Sequence, residues 1–233
     1  MALATTGVGR SVWSVQFYQE NDGIAFGSGA NIDDLLVGDC TIECWFNVPS
    51  YPAAATYLLT KNDGGATAGW RLGIDSTGTI IGSAFFAGND IGLNSGAVKA
   101  AIDKWYHAVV DFDVGTLTAR LFLGGDLVAT SIATLAYLTD AAQNLIVNGV
   151  VAVGTVDDYL KIGPIRLSNS RRYVGASFDP PRRINWPAND ANAQLITRMN
   201  DGAGATVTDY SGNAYNGTIT FGANTRWYND PVE

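Results

Sequence analysis

Short apolar runs of strand length, broken every few residues by turn chemistry, constrain this chain more than any other feature. "SVWSVQFY", "DGIAFGS", "CTIECWFNV", "ATYLLTKN", "LIVNGVVAVG", "DYLKIGPIRLS", "LITRMN" and "GTITFG" follow one another along the sequence. "WRLGIDSTGTIIGSAFFA" reads as a hairpin turning at Asp75-Ser76-Thr77-Gly78. "WYHAVVDFDVGTLTARLFLGGDLVATS" holds three more strands, with turns at Asp113-Val114-Gly115 and Gly124-Gly125-Asp126. About a dozen strands at this spacing predict an all-β sandwich or barrel.

Within "CTIECWFNV", period-two alternation puts Cys40, Ile42, Cys44 and Phe46 on one face and Thr41, Glu43 and Trp45 on the other. The two cysteines would then lie about 13 Å apart at ~3.3 Å per residue, too far to pair. With His107 they make a poor zinc set, so they read as small buried hydrophobes. "SGAVKAAIDKW" and "YLTDAAQNL" are rich in alanine but sustain no 3.6-residue stripe, which allows single helical turns at most. Segment 175–194 holds three prolines and reads as a surface excursion before a returning strand. The expected organisation is one domain over 1–233, with an N-terminal arm (1–12) and a C-terminal arm (223–233) able to reach neighbours.

Hydrophobic residues make up 47% of the chain and charged residues 15%, ample for a core. The net charge of −8 argues against broad nucleic-acid binding. The N-terminus lacks the apolar centre of a signal peptide, and no run approaches the ~18 apolar residues of a membrane span. Against this acidic background, "RLSNSRRYVGASFDPPRR" carries five of the ten arginines. Residues 161–183 hold a net +5, leaving −13 elsewhere.

The order of motifs resembles the laminin-G-like, concanavalin A-like domain family. "FYQENDGIAF", "GDCTIECWFNVP" and "YLLTKNDGGATAGWRLGID" are similar to its opening segments, and "DKWYHAVVDFDVGTLTARLFLGGDLVAT" to its central hairpin. "DDYLKIGPIRLSNSRRYVGASFDPP" resembles its closing loop. "LITRMNDGAGATVTDYSGNAYNGTIT" resembles a segment usually found at the start of such modules, so here the order is rotated. The resemblance implies an antiparallel jelly-roll sandwich of two sheets packed face to face. Cys40 replaces the family's usual Phe, and Gly125 stands where its hairpin usually has Asp. Variants with this closing loop are frequent among bacteriophage virion proteins, which implies a virion surface location.

The same fold carries glycoside hydrolases, which need two carboxylates at a defined separation. On this fold they come from a Glu-x-Asp-x-x-Glu strand pattern. The chain has only Glu20, Glu43 and Glu233, none so spaced, and no Gly-x-Ser-x-Gly elbow frames a nucleophile. His107 falls where the family has a strand histidine of structural use. The expectation is a non-enzyme.

Family members often hold calcium at one rim of the sandwich, and Asp63, Asp75, Asp90 and Asp113 are loop aspartates of that kind. Turn aspartates are also expected in any β protein, so calcium is an open option without assigned ligands. Two functions follow as expectations. One is a virion structural protein, a capsid decoration or tail or fibre component that binds neighbouring virion proteins and forms a homo-oligomer. Arg171, Arg182, Arg183 and Trp186 are its interface candidates. The alternative is a carbohydrate-binding module for host attachment, with Trp70 and Trp186 as glycan-stacking candidates.

Overall fold

The structure, a computed structural model, describes residues 12–18, 22–64, 67–87, 90–149, 160–186, 188–220 and 226–230. In chain order the strands are β1 (Val12–Phe17), β2 (Gly23–Gly27), β3 (Cys40–Asn47), β4 (Thr56–Asn62), β5 (Gly69–Ile74) and β6 (Thr79–Ala84). Next come β7 (Ile91–Lys99), β8 (Trp105–Asp113), β9 (Thr118–Leu123), β10 (Asp126–Ile132) and β11 (Leu145–Gly149). The last five are β12 (Leu160–Ser168), β13 (Ala193–Thr197), β14 (Thr206–Val207), β15 (Gly217–Thr220) and β16 (Arg226–Asp230).

Two antiparallel sheets form the sandwich, as the jelly-roll expectation required. The first runs β10-β9-β8-β3-β12-β1-β16, and β13 pairs the C-terminal half of β12 where β1 leaves off. The second runs β14-β15-β2-β11-β4-β5-β6-β7. Cys40, Ile42, Cys44 and Phe46 project inward and share one apolar cluster with Leu58, Leu72, Ile74 and Leu93 of the opposite sheet. Alternation thus does here what it predicts, and burying such side chains stabilises by about 1.5–3 kcal/mol each.

The rotated motif order has a simple spatial meaning. β15, from the displaced segment, hydrogen-bonds to β2 near the start of the chain. β16 pairs with β1 in the other sheet. The stretch expected as a C-terminal arm therefore contributes a sheet strand over Arg226–Asp230, while residues 1–11 lie outside the described residues.

The predicted hairpin at Asp75–Gly78 joins β5 to β6. Asp75 Oδ1 accepts the amides of Thr77 and Thr79, and Gly78 takes φ +84°. A Cβ at Gly78 would meet the Tyr51 ring at 2.6 Å, so glycine is required twice over. The alanine-rich pieces are not helical. Ser95–Lys99 belongs to β7, and residues 141–142 are a turn.

Candidate functional site

Much of the outward face of the first sheet is buried too, with Thr41, Glu43, His107, Asp111 and Arg166 all buried. Cross-strand register aligns Trp45 with His107, Glu43 with both Val109 and Arg166, and Thr41 with Asp111 and Ser168. Arg120 and Phe122 of β9 continue the same rows. Over them lies a strap formed by residues 169–186. Tyr173 and Phe178 stack on each other with centroids 3.7 Å apart and press against Phe122 and His107.

Polar contacts bind the strap to this face. Glu43 accepts from Arg166 Nε (2.5 Å), the Tyr173 hydroxyl (2.9 Å) and His107 Nε2 (2.9 Å). Burial alone would raise the Glu43 carboxyl, but His107 and Arg166 outweigh it and hold the group below the usual range. Asp111 accepts from Arg120, Arg171, Thr41 and the Arg172 amide. There burial prevails, and the carboxyl is raised despite Arg171. Trp45 Nε1 donates to the Pro181 carbonyl and Arg120 to that of Val174.

These contacts decide the sequence-predicted residues. Arg171 pairs with Asp111 and Asp113. Arg183 is buried, lies 3.6 Å over the Trp105 ring and pairs with Asp230 of β16. Trp186 is 6% exposed and packs edge-on to His107, with the Arg166 guanidinium over its ring. Trp70 is 2% exposed in the central core. Neither tryptophan can offer a stacking face, and both are corrected to packing residues. Of the four interface candidates Arg182 alone is exposed, so the basic run is largely internal architecture. A charged side chain buried on a sheet face needs several partners, which the strap and neighbouring strands supply together.

An open concave site lies where the loops that follow β2, β12 and β14 converge. A depression of about 610 Å³ is lined by Asn31, Asn169, Asn189, Asp190, Gln194, Ser211 and Asn213, with Ala191 and Ala193. Its size falls within the range of small-molecule sites. Three side-chain amides are anchored to backbone. Asn189 Nδ2 donates to the Ser211 carbonyl (2.7 Å), Asn213 Nδ2 to that of Gln194 (2.9 Å) and Gln194 Nε2 to that of Asn192 (3.2 Å). Their amide oxygens accept from no protein donor among the described residues. The side chains of Asn31 and Asn169 likewise have no protein partner there.

Carboxylates in and behind the depression hold its loops. Asp209 accepts the amides of Ile196, Ser211 and Tyr215 and the Ser211 hydroxyl. Asp190 accepts from Arg172 and the Asn192 amide. The loop bearing Asn31 is held by Lys61, whose fully buried ammonium lies 2.8 Å from Asp33 Oδ1 and 3.4 Å from Asp140 Oδ1. That ammonium also donates to the carbonyls of Asp140 (3.0 Å) and Gln143 (2.5 Å). Burial pushes the Asp33 carboxyl up, but Lys61, the Gly29 amide and the Ser28 hydroxyl together hold it below its ordinary value. Two carboxylates and two carbonyls around one cation are the donor types calcium takes, but here an ammonium already occupies the centre.

The loop aspartates considered for calcium serve their own turns. Asp63 caps Thr67, Asp75 caps Thr77 and Thr79, Asp90 accepts the Phe86 amide, and Asp113 accepts from Thr116 and Arg171. No cluster of three or more His, Cys, Asp or Glu side chains able to hold a metal occurs among the described residues. Among the described residues the lining holds one carboxylate, Asp190, which is bound to Arg172. Sequence reading missed this site because its residues are turn formers, ordinary in any loop. The signal was present in "DYSGNAYNGT", where Asp209 holds Ser211 and the Ser211 hydroxyl oxygen accepts the Asn213 amide.

Residues 19–161 match the family described as the concanavalin A-like lectin/glucanases superfamily. No curated protein sequence matches the chain. Among solved structures, a candidate carbohydrate binding protein from Bacteroides ovatus superimposes with a TM-score of 0.63 at 14% identity. That match covers 96% of this chain and 62% of the other, so this chain spans about three-fifths of that protein's length. A heptameric SAP-like pentraxin from Limulus polyphemus aligns with a TM-score of 0.42 at 9% identity, over 72% of this chain and 74% of its own. The binding domain of botulinum neurotoxin serotype D aligns at 0.47 and 12%, over 68% and 44%. At these identities the likeness is one of fold.

Proposed function

The chain belongs to the concanavalin A-like lectin/glucanases superfamily, and from that premise we propose that it is a non-catalytic module binding neutral glycans in the amide-lined depression. The observation that carries this reading is the set of anchored amides at Asn189, Gln194 and Asn213. Each is fixed through its NH₂ group, which leaves an amide oxygen to accept a hydroxyl proton. The amides of Asn31 and Asn169 add both donors and acceptors. Sugar hydroxyls need both, and prior anchoring reduces the rotamer entropy lost on binding. With no aromatic side chain in the lining among the described residues, hydrogen bonds rather than stacking supply the affinity.

A glycan array followed by calorimetry tests the proposal. Binding of a neutral glycan is expected to persist in chelator and to vanish in Ala191→Trp, which fills the depression from an exposed position. Asn31→Ala and Asn169→Ala should weaken it without loss of stability. A blank array, or unchanged binding by Ala191→Trp, overturns the reading. We extend it to location: the closing-loop motif implies a virion surface, where such a module would serve host attachment beside capsid or tail subunits. A gene neighbourhood without capsid or tail genes sinks that extension.

A further inference from the structure

The outer face of the second sheet carries a separate feature. No strand of that sheet contains Asp or Glu, although the chain as a whole is acidic. On β5, the third strand in from the β7 edge of the sheet, stands Arg71. Its Nε donates to Ser83 Oγ on β6 (2.8 Å), and its guanidinium carbon lies 5.0 Å from the Tyr57 ring centre and 5.2 Å from that of Phe85. Serine and rings together fix the plane of the guanidinium. Its two terminal nitrogens have no acceptor, and the group has no carboxylate partner, among the described residues.

The surroundings keep this group accessible. Register places Arg71, Ser83 and Gly92 side by side across three strands. A Cβ at Gly92 would meet nothing within 4 Å, so the face is open on the far side of Ser83 from Arg71. Tyr57 lies against Gly73, where a Cβ would come within 2.9 Å of the ring. Glycine at 73 thus lets the ring lie low against the sheet beside Arg71. Tyr57, Arg71, Ile81, Gly82 and Ser83 line a cleft of about 190 Å³. That is below the volume of sites that engulf a whole ligand, and suits one planar group with an apolar flank.

We infer that this cleft is a carboxylate-binding site for a sugar acid such as a uronate. The fixed guanidinium presents parallel N–H donors to the carboxylate, a geometry that lysine cannot reproduce. Tyr57 and Ile81 flank the sugar ring. The site is independent of the amide-lined depression, since the two share no lining residue.

The test is an NMR and calorimetric titration of the whole chain with sodium glucuronate, against its methyl ester, glucose, acetate and sulfate. Glucuronate should shift the amides around Arg71, Ser83 and Gly92, with the ester and glucose about tenfold weaker or worse. Arg71→Lys, which keeps the charge, should lose about tenfold or more. Gly92→Trp should block binding with Arg71 intact, whereas Ala191→Trp should leave it unchanged. Equal binding of acid and ester, or of Arg71→Lys and the parent, overturns the inference. Acetate or sulfate binding as well as glucuronate overturns the sugar-acid assignment.

Discussion

Glu43 Oε2 and His107 Nε2 stand 2.9 Å apart on neighbouring strands, and neither side chain is exposed to solvent. A carboxylate paired with an imidazole suggests proton-transfer chemistry, but here both groups lie under the strap among Trp45, Tyr173, Phe178 and Trp186. An ionised carboxylate accepts only, so the imidazole Nε2 donates to it. Their work is to bind the strap to the sheet.

That pair gives stability a pH dependence. Because the folded Glu43 carboxyl is held below its ordinary 4.5, the unfolded chain takes up the proton first as pH falls. Its stabilisation is complete above that value and is lost as pH drops through the lower folded one. Asp111, raised by burial, acts in the opposite sense, so the comparison must isolate Glu43. Glu43→Gln should cost about 3–5 kcal/mol at neutral pH, as for one partner lost from a buried ion pair. In urea unfolding the gap to the parent should narrow steadily below pH 4.5. A gap independent of pH counts against this role.

Adjacent arginines should behave differently. Arg183→Glu places a carboxylate beside Asp230 and against the face of the Trp105 ring and should destabilise by about 3 kcal/mol or more. Arg182→Glu, at an exposed site, should stay within about 0.5 kcal/mol. Chemical denaturation of the two single variants measures the difference, and equal effects would contradict the assignment of Arg183 to the interior.

Gly125 explains a departure from the family pattern. It takes φ +96°, its carbonyl accepts the Phe178 amide, and a Cβ would lie 2.2 Å from the Phe178 carbonyl oxygen. Restoring the family residue with Gly125→Asp should therefore cost about 1–3 kcal/mol and loosen the strap. Limited proteolysis should then cut within residues 169–182 faster than in the parent.

Lys61 predicts independence from calcium. Its ammonium already neutralises Asp33 and Asp140, so chelator should leave the thermal midpoint unchanged. Lys61→Met should cost about 3–5 kcal/mol by leaving the buried Asp140 carboxylate without its cation. A midpoint that falls in chelator would refute the reading.

Cys40 and Cys44 are fully buried, and burial pushes both thiols well above the ordinary range. Neither should react with a thiol reagent in native buffer, and both should react once denaturant is added. Rapid native labelling would contradict their placement.

Much of the architecture was legible in the order of residues. Alternation in "CTIECWFNV" assigned residues 40–46 of β3 to their faces, and the turn at Asp75–Gly78 fell where glycine and aspartate placed it. The arginine-rich loop could not be resolved in this way. Its sequence shows charge, but a partner such as Asp111 or Asp230 lies dozens of positions away. The amide-lined depression was invisible for a similar reason, because Asn31, Asn169 and Asn213 meet only after three loops converge.

The sequence by itself determined the strand periods and the turns, since these depend on neighbours a few residues apart, while the choice of a two-sheet sandwich over a barrel rested on the family resemblance. Tertiary structure alone decided which charges are buried. Arg171, Arg183 and Trp186 looked available for a partner, and the chain uses all three to roof its own sheet. A guanidinium or an indole is exposed or enclosed according to what long-range packing brings over it, and local sequence does not encode that cover.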